Sequence, residues 1–393
     1  MKFLILSCST GEGHNAAARA VQEELTRQGH EAVLQDMMLL AGPHVARAVG
    51  GGYVGTVQHA PRLFSALYDA GSHLSSARRR SPVYYANALV AGRLERLLAR
   101  GRFDGVVTTH LFCAETLTWL KRHGRLHVPC LAVATDYTCI PFWEETDCDR
   151  YVIPHPELTD EFAGRGIPRS RLLAFGIPVS ARFSQPMDPA AARARCGLPP
   201  DSRVYLVMGG SMGFGQIRQL TDRLAEACLP GEQVVVLCGR NDKLKAAIER
   251  RHPAGGPVTA VGYTRRVADY MAGCAVIYTK PGGLTSTEAA VRRIPIVHTS
   301  CIPGCETRNL AFFAGHGLSM AARKLPEQVS CGLQLVRDEL SAEAMRRAQA
   351  EHISPCAASR LVEALVQLCS SRKEVLPCGI FCSFCLAISA AVC

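Results

Sequence analysis

The sequence lacks the signals of several common protein classes. It has no zinc-finger spacing, no aromatic motif typical of RNA-recognition domains, and no Lys/Arg run longer than residues 78–80. We therefore expect no nucleic-acid partner. The N-terminus lacks the charged-then-apolar layout of a secretory signal peptide, because Lys2 leads directly into a hydrophobic run. Aromatic residues are only 6% of the chain and low-complexity tracts are missing, which is typical of a globular protein.

The composition fits a two-domain cytoplasmic protein. A chain of 393 residues is long for one domain. It carries 44 basic and 34 acidic side chains, a net charge of +10 that favours an anionic partner such as a membrane surface or a nucleotide. The same charge is also common in proteins without such a partner. The 18 cysteines are irregularly spaced, so we expect reduced thiols rather than a disulfide framework.

The C-terminal segment 373–393 is apolar and cysteine-rich, and its role stays open. Its uncharged part, 376–393, barely reaches the roughly 20 residues of a spanning helix, and Pro377 and Gly379 disfavour that helix. It is either a tail that touches a membrane or an incidental extension. Its C-x3-C-x2-C spacing, also used by iron–sulfur enzymes, we interpret as coincidence because no barrel follows it.

Strand patterns alternate with helix patterns along most of the chain, which predicts an α/β fold with two doubly wound parallel sheets. The first domain spans residues 1–180, a Pro- and Ala-rich linker spans 181–202, and the second domain spans 203–340. Final helices are expected at 341–372. Two such domains in tandem face each other across a cleft that receives the carboxyl ends of the strands.

The segment 43–102 interrupts this alternation. Its apolar residues recur at helical spacing among arginines and tyrosines, so we expect an insertion of amphipathic helices in the first domain. These helices either pack on the core and leave their arginines in water, or form a surface that lies on lipid.

The first candidate site is the stretch SCSTGEGHNAAARAV at 7–21. With Asp36 near the end of the next strand, G-x-G-x-x-A matches a dinucleotide-binding pattern for NAD or FAD. His14, however, stands where a pyrophosphate would lie. A histidine at a cleft-facing helix start can act as a general base, and a plain loop histidine is the alternative.

The second domain has two phosphate-type loops. MGGSMGFG at 208–215 brings glycines to a helix start but lacks the Lys-Ser/Thr of an ATP-hydrolysing loop. TKPGGLTSTEAAV at 279–291 offers backbone amides, hydroxyls and Glu288, whose carboxylate can accept two sugar hydroxyls. A capping or first-turn carboxylate is the alternative for Glu288. Together the two loops favour a nucleotide diphosphate.

Two further strand-to-helix junctions complete this predicted donor site. In CIPGCETRNLAFF at 301–313, Glu306 and Asn309 can hold a sugar, and VGYTRRV at 261–267 can present Gly262 and Tyr263 to a base. The D-x-D at 147–149 resembles a metal-binding pattern, but its context favours an ordinary turn. We therefore expect no metal and no cofactor.

Taken in order, STGEGHNAAARA, the GGS loop, KPGGLTSTEA and PGCETRN resemble the processive diacylglycerol glycosyltransferases and monogalactosyldiacylglycerol synthases over about residues 1–370. The resemblance implies a GT-B fold, in the same superfamily as the transferase MurG, with a lipid acceptor on the first domain and a UDP-hexose on the second. It implies that His14 is the general base. The donor residues implied by the resemblance are Gly210, Ser211, Gly283, Thr285, Glu288 (on the ribose), Glu306 and Asn309. The loops described above add Gly262, Tyr263, Gly282 and Ser286 to this predicted donor site.

On the acceptor side the resemblance implies Gly13, Tyr137 and Trp143, with Asp136 assisting His14. The family commonly has a histidine where this chain has Ile140, so the identity of the acceptor lipid stays open. We expect direct displacement of UDP by a diacylglycerol-type hydroxyl at the anionic inner face of the cell membrane, by a cytoplasmic, peripheral enzyme. Three alternatives stay open: a UDP-N-acetylglucosamine 2-epimerase, a MurG-like N-acetylglucosaminyl transferase, and a non-catalytic nucleotide-sugar or lipid-binding protein. An NAD-dependent reaction is less favoured than these three because it leaves the loops of the second domain unexplained.

Overall fold

The computed structural model describes residues 1–9, 12–42, 80–210, 213, 215–301 and 304–375. These residues form two six-stranded parallel sheets, as the alternation of strands and helices predicts. The first sheet has the order β2-β1-β3-β4-β5-β6. Its strands are β1 Lys2–Ser7, β2 Glu31–Asp36, β3 Gly105–Thr108, β4 Cys130–Val133, β5 Arg150–Val152 and β6 Leu172–Leu173.

The helices of the first half follow its strands. Helix α1 leads from β1 to β2, and α5 leads from β3 to β4. Their bounds are α1 Glu12–Arg27, α2 Met37–Ala41, α3 Pro82–Ala88, α4 Ala91–Gly101, α5 Leu111–Arg122 and α6 Thr159–Gly164.

The second sheet has the order β12-β11-β10-β7-β8-β9. Its strands are β7 Arg203–Met208, β8 Glu232–Leu237, β9 Val258–Val261, β10 Val276–Thr279, β11 Ile296–His298 and β12 Met320–Ala321. The helices around it are α9 Ile217–Ala227, α10 Asp242–Arg251, α11 Val267–Gly273, α12 Gly283–Val291, α13 Cys305–Gly315, α14 Leu325–Arg337 and α15 Glu339–His352.

Apolar runs explain the central strands. In β1, four consecutive side chains from Phe3 to Leu6 are fully buried, because helices cover both faces of a parallel sheet. In the second sheet, strands β7 and β8 are likewise mostly buried. The strand ends that carry the candidate loops therefore rest on rigid, buried elements.

The segment between the sheets and the end of the chain tie the two halves together. Residues 181–202, predicted as a linker, include two short helices, α7 Ala181–Ser184 and α8 Pro189–Arg195, and α8 packs on α11 of the second half. The last helix, α16 Ala357–Val375, returns to the first sheet. Its Leu361 and Leu365 join the core cluster that contains Phe3 and Ile5 of β1.

Some local expectations change. Helix α1 begins at Glu12, so His14 lies in the first helical turn and not in a loop. Of the predicted insertion, residues 43–79 lie outside the described residues, as does the uncharged tail at 376–393. Every cysteine that the structure describes is free, in line with reduced thiols. None of the described helices is both long and apolar enough to span a bilayer.

Candidate active site between the two sheets

His14 lies where three neighbouring strands of the first sheet end. Its Nδ1 is 2.9 Å from the backbone oxygen of Thr109, just after β3, and 3.0 Å from Oγ1 of Thr135, just after β4. The Thr109 hydroxyl in turn donates to the backbone oxygen of His14 at 2.9 Å. These bonds fix the first turn of α1, and with it the imidazole, to the carboxyl ends of β3 and β4.

The hydrogen bonds also define the protonation of His14. A backbone carbonyl only accepts, so Nδ1 carries the hydrogen and Nε2 of the neutral ring carries the lone pair. Burial lowers the pKa of His14, and this effect outweighs Asp136 and the Thr109 carbonyl, which both raise it. His14 is therefore neutral at pH 7, the form that a general base requires.

Asp136 is held by a residue from the other half of the chain. Its Oδ1 accepts a hydrogen bond from Nδ2 of Asn309 at 2.9 Å, and Nδ2 also donates to the Pro281 oxygen at 3.1 Å. Oδ1 of Asn309 accepts from the backbone N–H of Tyr137 at 2.7 Å. Asn309 is fully buried, and both of its N–H groups and one lone pair of its oxygen are used. The structure thus makes Asn309 a clamp between the halves, where the sequence suggested a sugar contact.

Tyr137 also crosses to the second half. Its ring stacks on Phe312 at 4.6 Å between centroids, and its hydroxyl lies 2.9 Å from Oγ1 of Thr287. Since Thr287 uses its hydrogen to bond the Gly283 oxygen at 2.6 Å, Tyr137 is the donor in this pair. Burial raises the pKa of the Tyr137 phenol, which keeps the donor neutral. Tyr137, expected on the acceptor side, therefore packs against the donor half.

The start of α12 touches the His14 region directly. A Cβ placed on Gly283 would lie 2.0 Å from the backbone oxygen of Thr135, so no side chain fits there. A Cβ on Gly13 would lie 3.7 Å from Cβ of Leu284. Because Thr135 is also bonded to His14, the proposed base and the PGG loop belong to one site.

Glu288 lies in the second turn of α12, which argues against a capping or first-turn role. Burial raises its pKa to about 8, with Arg19 of α1 acting in the opposite direction. Among the described residues, no hydrogen bond or ion pair involves its carboxyl group. The side chain is partly buried, and its carboxyl oxygens keep free hydrogen-bonding capacity that a ligand can use. Glu288 is thus available for ribose hydroxyls.

Lys280 is a site residue that sequence reasoning missed. It follows β10, and its ammonium group forms an ion pair with Glu306, whose side chain is 7% exposed. A Cβ on Gly210, which has a φ of 73°, would lie 3.2 Å from Cε of Lys280, and one on Gly282 would lie 3.9 Å away. Lys280 therefore brings a positive charge between the two glycine loops. Its position directly before PGG at a strand end was the available signal.

Tyr263 is 62% exposed and lies under the guanidinium of Arg240, 5.3 Å from the ring centroid. Arg240 also pairs with Glu12 of α1 at 3.5 Å, so this contact spans both halves. Gly262 precedes the exposed ring and is partly buried. Ser211, predicted near the diphosphate, lies outside the described residues.

Three predicted residues have other surroundings. Ser286 is fully buried and its hydroxyl lies 2.9 Å from Nε2 of His298, a ring whose pKa burial lowers to about 3. Trp143 is 3% exposed and packs edge-on against Tyr151, and none of its described contacts reaches His14. Thr285 is partly buried in α12 with no described side-chain bond. Ser286 and Trp143 thus support the two halves from inside.

The two carboxylates of the D-x-D segment form ion pairs with basic side chains. Asp149 pairs with Lys121 at 2.8 Å and accepts from the Cys130 N–H at 2.8 Å, while Asp147 pairs with Arg171. These contacts agree with the prediction that the segment is an ordinary turn rather than a metal site.

Comparison with known proteins gives matches over both halves. Residues 14–179 match the family model for monogalactosyldiacylglycerol (MGDG) synthase. The chain is 29% identical over 329 residues to a processive diacylglycerol beta-glucosyltransferase of Staphylococcus saprophyticus, covering 82% of this chain and 81% of the relative. It is 25% identical over 368 residues to the protein of the same name from Bacillus mycoides, covering 93% of each chain.

Solved structures share the fold at lower identity. Acinetobacter baumannii MurG is 16% identical with a TM-score of 0.59, covering 93% of this chain and 99% of MurG. UDP-GlcNAc 2-epimerase from Neisseria meningitidis is 12% identical with a TM-score of 0.60, covering 93% and 100%. The expected GT-B fold is confirmed. Over most of its length the chain is similar to the processive diacylglycerol beta-glucosyltransferases, and its first half is similar to the MGDG synthases.

Proposed function

We propose that this chain transfers a hexose from a UDP-sugar to the hydroxyl of a diacylglycerol-type lipid at a membrane surface. The observation that carries the proposal is the contact of His14 with Thr135, whose carbonyl touches the start of α12 at Gly283. A neutral base of the first half thereby meets the donor loop of the second. The relatives named above act on diacylglycerol, and their names supply the acceptor class.

In the proposed reaction, Nε2 of His14 removes the proton from the acceptor hydroxyl. The oxygen forms a bond to the anomeric carbon of the sugar, and the bond from that carbon to the UDP oxygen breaks, with its electron pair leaving on UDP. Asp136 stabilises the imidazolium that forms, because it already favours the charged ring. Nδ1–H stays on the Thr109 carbonyl and keeps the ring oriented.

The leaving diphosphate needs positive charge. The amides at the start of α12 point their N–H groups toward its N-terminal end, and Lys280 adds an ammonium group beside Gly210 and Gly282. We therefore propose that the donor site requires no metal ion. Glu288 would hold the ribose, and Tyr263 with Gly262 the base.

A surface near the first half suits a lipid bilayer. Three apolar side chains are exposed: Leu39 of α2 (59%), Tyr85 of α3 (61%) and Leu89 (86%). Arg93 of α4, itself exposed, donates to the Leu40 carbonyl and so links α4 to α2. We propose that these groups contact an anionic membrane on its cytoplasmic face, where each well-placed arginine adds about 1 kcal/mol. Leu94, in contrast, is buried, so α4 also packs on the core.

The test is UDP release from a panel of UDP-hexoses, with and without diacylglycerol in anionic vesicles. We expect lipid-dependent release that His14→Ala lowers by about 10²–10⁴-fold, while His123→Ala, an exposed control, has no effect. Because the pKa of His14 is lowered, kcat/KM should hold from pH 7 to below pH 6.5 and fall only as the ring is protonated at more acidic pH.

Other outcomes would identify the alternatives. Release that needs no lipid would favour the epimerase function, which shares the fold. Binding of UDP-hexose without release from any donor would indicate a binding protein. Activity that survives His14→Ala would refute the assignment of the base.

A further inference from the structure

A second cluster of polar side chains lies away from the proposed base. His155 and Glu157 follow β5 of the first sheet, His316 follows α13, and His352 ends α15. We call these four residues the histidine cluster. Donor atoms of His155, Glu157 and His352 all lie within 4.8 Å of one another. The reaction proposed above uses none of the four.

The cluster has the spacing of a metal site. Nε2 of His155 and Nδ1 of His352 are 3.4 Å apart. Two nitrogens bound to one tetrahedral Zn²⁺ at about 2.05 Å each stand about 3.3 Å apart. Nε2 of His316 lies 2.8 Å from Oε2 of Glu157, next to the three groups that lie within 4.8 Å of one another.

His316 is oriented as a fourth ligand would be, although its nitrogens lie outside the group of donor atoms within 4.8 Å of one another. Its Nδ1 donates to the Phe312 carbonyl at 2.8 Å, so Nε2 of the neutral ring presents a lone pair toward Glu157. Metal-bound histidines commonly donate their other N–H to a carbonyl in this way. Without a cation, this contact between a lone pair and a carboxylate requires an added proton.

His155 needs one adjustment. Its Nδ1 now accepts a weak bond of 3.4 Å from the Glu157 N–H. A metal on Nε2 would move the hydrogen to Nδ1 and end that bond. The ring is 8% exposed, whereas the Glu157 side chain is 58% exposed, so an ion can enter from the Glu157 side.

We propose that the histidine cluster binds one Zn²⁺ ion and links the two halves of the protein beside the crossover from α15 to α16. The three groups within 4.8 Å of one another supply two neutral nitrogens and one carboxylate, and His316 supplies a third nitrogen once its ring moves toward them. Zinc accepts this ligand set. Because the ligands come from three separate segments, the ion would oppose opening of the cleft.

The experiment uses the full chain, stripped with EDTA and titrated with Co²⁺ or Zn²⁺. We expect one equivalent of Co²⁺ with tetrahedral visible bands and without the thiolate charge-transfer band that the cysteines would give. Zn²⁺ should displace it and raise the melting temperature. His155→Ala/His352→Ala should lose both effects, and His252→Ala, a histidine of a surface ion pair, should keep them.

Several results would overturn the proposal. These are an absence of tetrahedral Co²⁺ bands, bands with thiolate character, or equal bands in the double variant. Circular dichroism and UDP-hexose binding report whether the double variant folds. If the double variant does not fold, the single variant His352→Gln tests the site instead. Loss of one ligand should weaken Co²⁺ binding by about 10-fold or more, and an unchanged affinity for Co²⁺ would contradict the site. Metal binding is measured without turnover, so the result for the metal site does not depend on whether the proposed glycosyl transfer is correct.

Discussion

Replacing Glu288 with Gln should abolish the pH dependence of UDP-hexose binding. In the free protein, burial raises the pKa of the Glu288 carboxyl to about 8, so the group is mostly protonated at pH 7. The proposed role is to accept two ribose hydroxyls, which an ionised carboxylate does best. Binding would then require loss of the proton, and affinity should increase as the pH rises toward 8.

The size of the effect follows from that pKa. With a pKa of about 8, about 3% of the carboxyl groups are ionised at pH 6.5 and about 76% at pH 8.5. If the bound form is fully ionised, affinity rises about 25-fold between these pH values, or about 1.9 kcal/mol. At pH 7, binding should release about 0.9 proton. The lowered pKa of His14 places its own titration toward the acidic end of this range or below it.

Isothermal titration calorimetry of UDP-glucose and UDP-galactose measures both quantities. Two buffers with different ionisation enthalpies give the number of protons released. Glu288→Gln should bind more weakly than the wild type at pH 8.5, with a flat pH profile. Arg19→Gln is the second control: since Arg19 lowers the pKa of Glu288, its loss should move the rise in affinity to higher pH.

A flat wild-type profile would refute this reasoning, because a carboxyl with a pKa near 8 that must ionise cannot give one. The same slope in Glu288→Gln would show that another group titrates. An unchanged midpoint in Arg19→Gln would contradict the electrostatic coupling between α1 and α12.

Two further substitutions test the contact between the halves and the membrane surface. Gly283→Ala places a Cβ 2.0 Å from the Thr135 oxygen and should lower kcat/KM about 100-fold, since the reacting groups must separate. The control is Gly164→Ala, whose Cβ would have no atom within 4 Å and should leave kcat/KM unchanged. Equal kinetics of the two variants would refute the close approach. Leu89→Glu should weaken sedimentation with anionic vesicles about 10-fold, because a side chain that is 86% exposed in water loses its apolar contact with lipid. Leu340→Glu, 84% exposed on the other half, is the matched control, and an equal loss there would contradict a membrane surface near Leu89.

The features fixed by local pattern were predictable from the sequence. Buried strands show as apolar runs, and the two parallel sheets predicted from them are confirmed. The carboxyl ends of parallel strands share one edge, which is why the loops after β1, β7, β10 and β11 were predicted to lie together. The expectation of Glu288 in a ligand-binding position came from its place beyond PGG. Its raised pKa was not predictable, because burial depends on how α1 packs against α12.

Contacts between the halves were outside the reach of sequence reasoning. Thr109 and Thr135 belong to no motif, yet they orient the proposed base because β3 lies between β1 and β4 in the sheet. Trp143 and Ser286 show the opposite case. Each stands in a stretch that resembles a family motif, but the side chain faces the interior of its own half. A motif gives the backbone position, whereas packing decides which way the side chain points.

Asn309 lies in a motif, but packing decides its contacts, and these contacts connect the proposed donor and acceptor sites. Its carboxamide bonds Pro281 of the PGG loop, the Tyr137 amide and the Asp136 carboxylate, which acts on His14. Both of its N–H groups are used, so it cannot donate to the sugar without giving up the bond to Asp136 or to Pro281. A donor that shifts the PGG loop must therefore shift Asp136, and with it the charge that stabilises protonated His14. The same asparagine that the sequence placed on the sugar thus couples donor binding to the strength of the base.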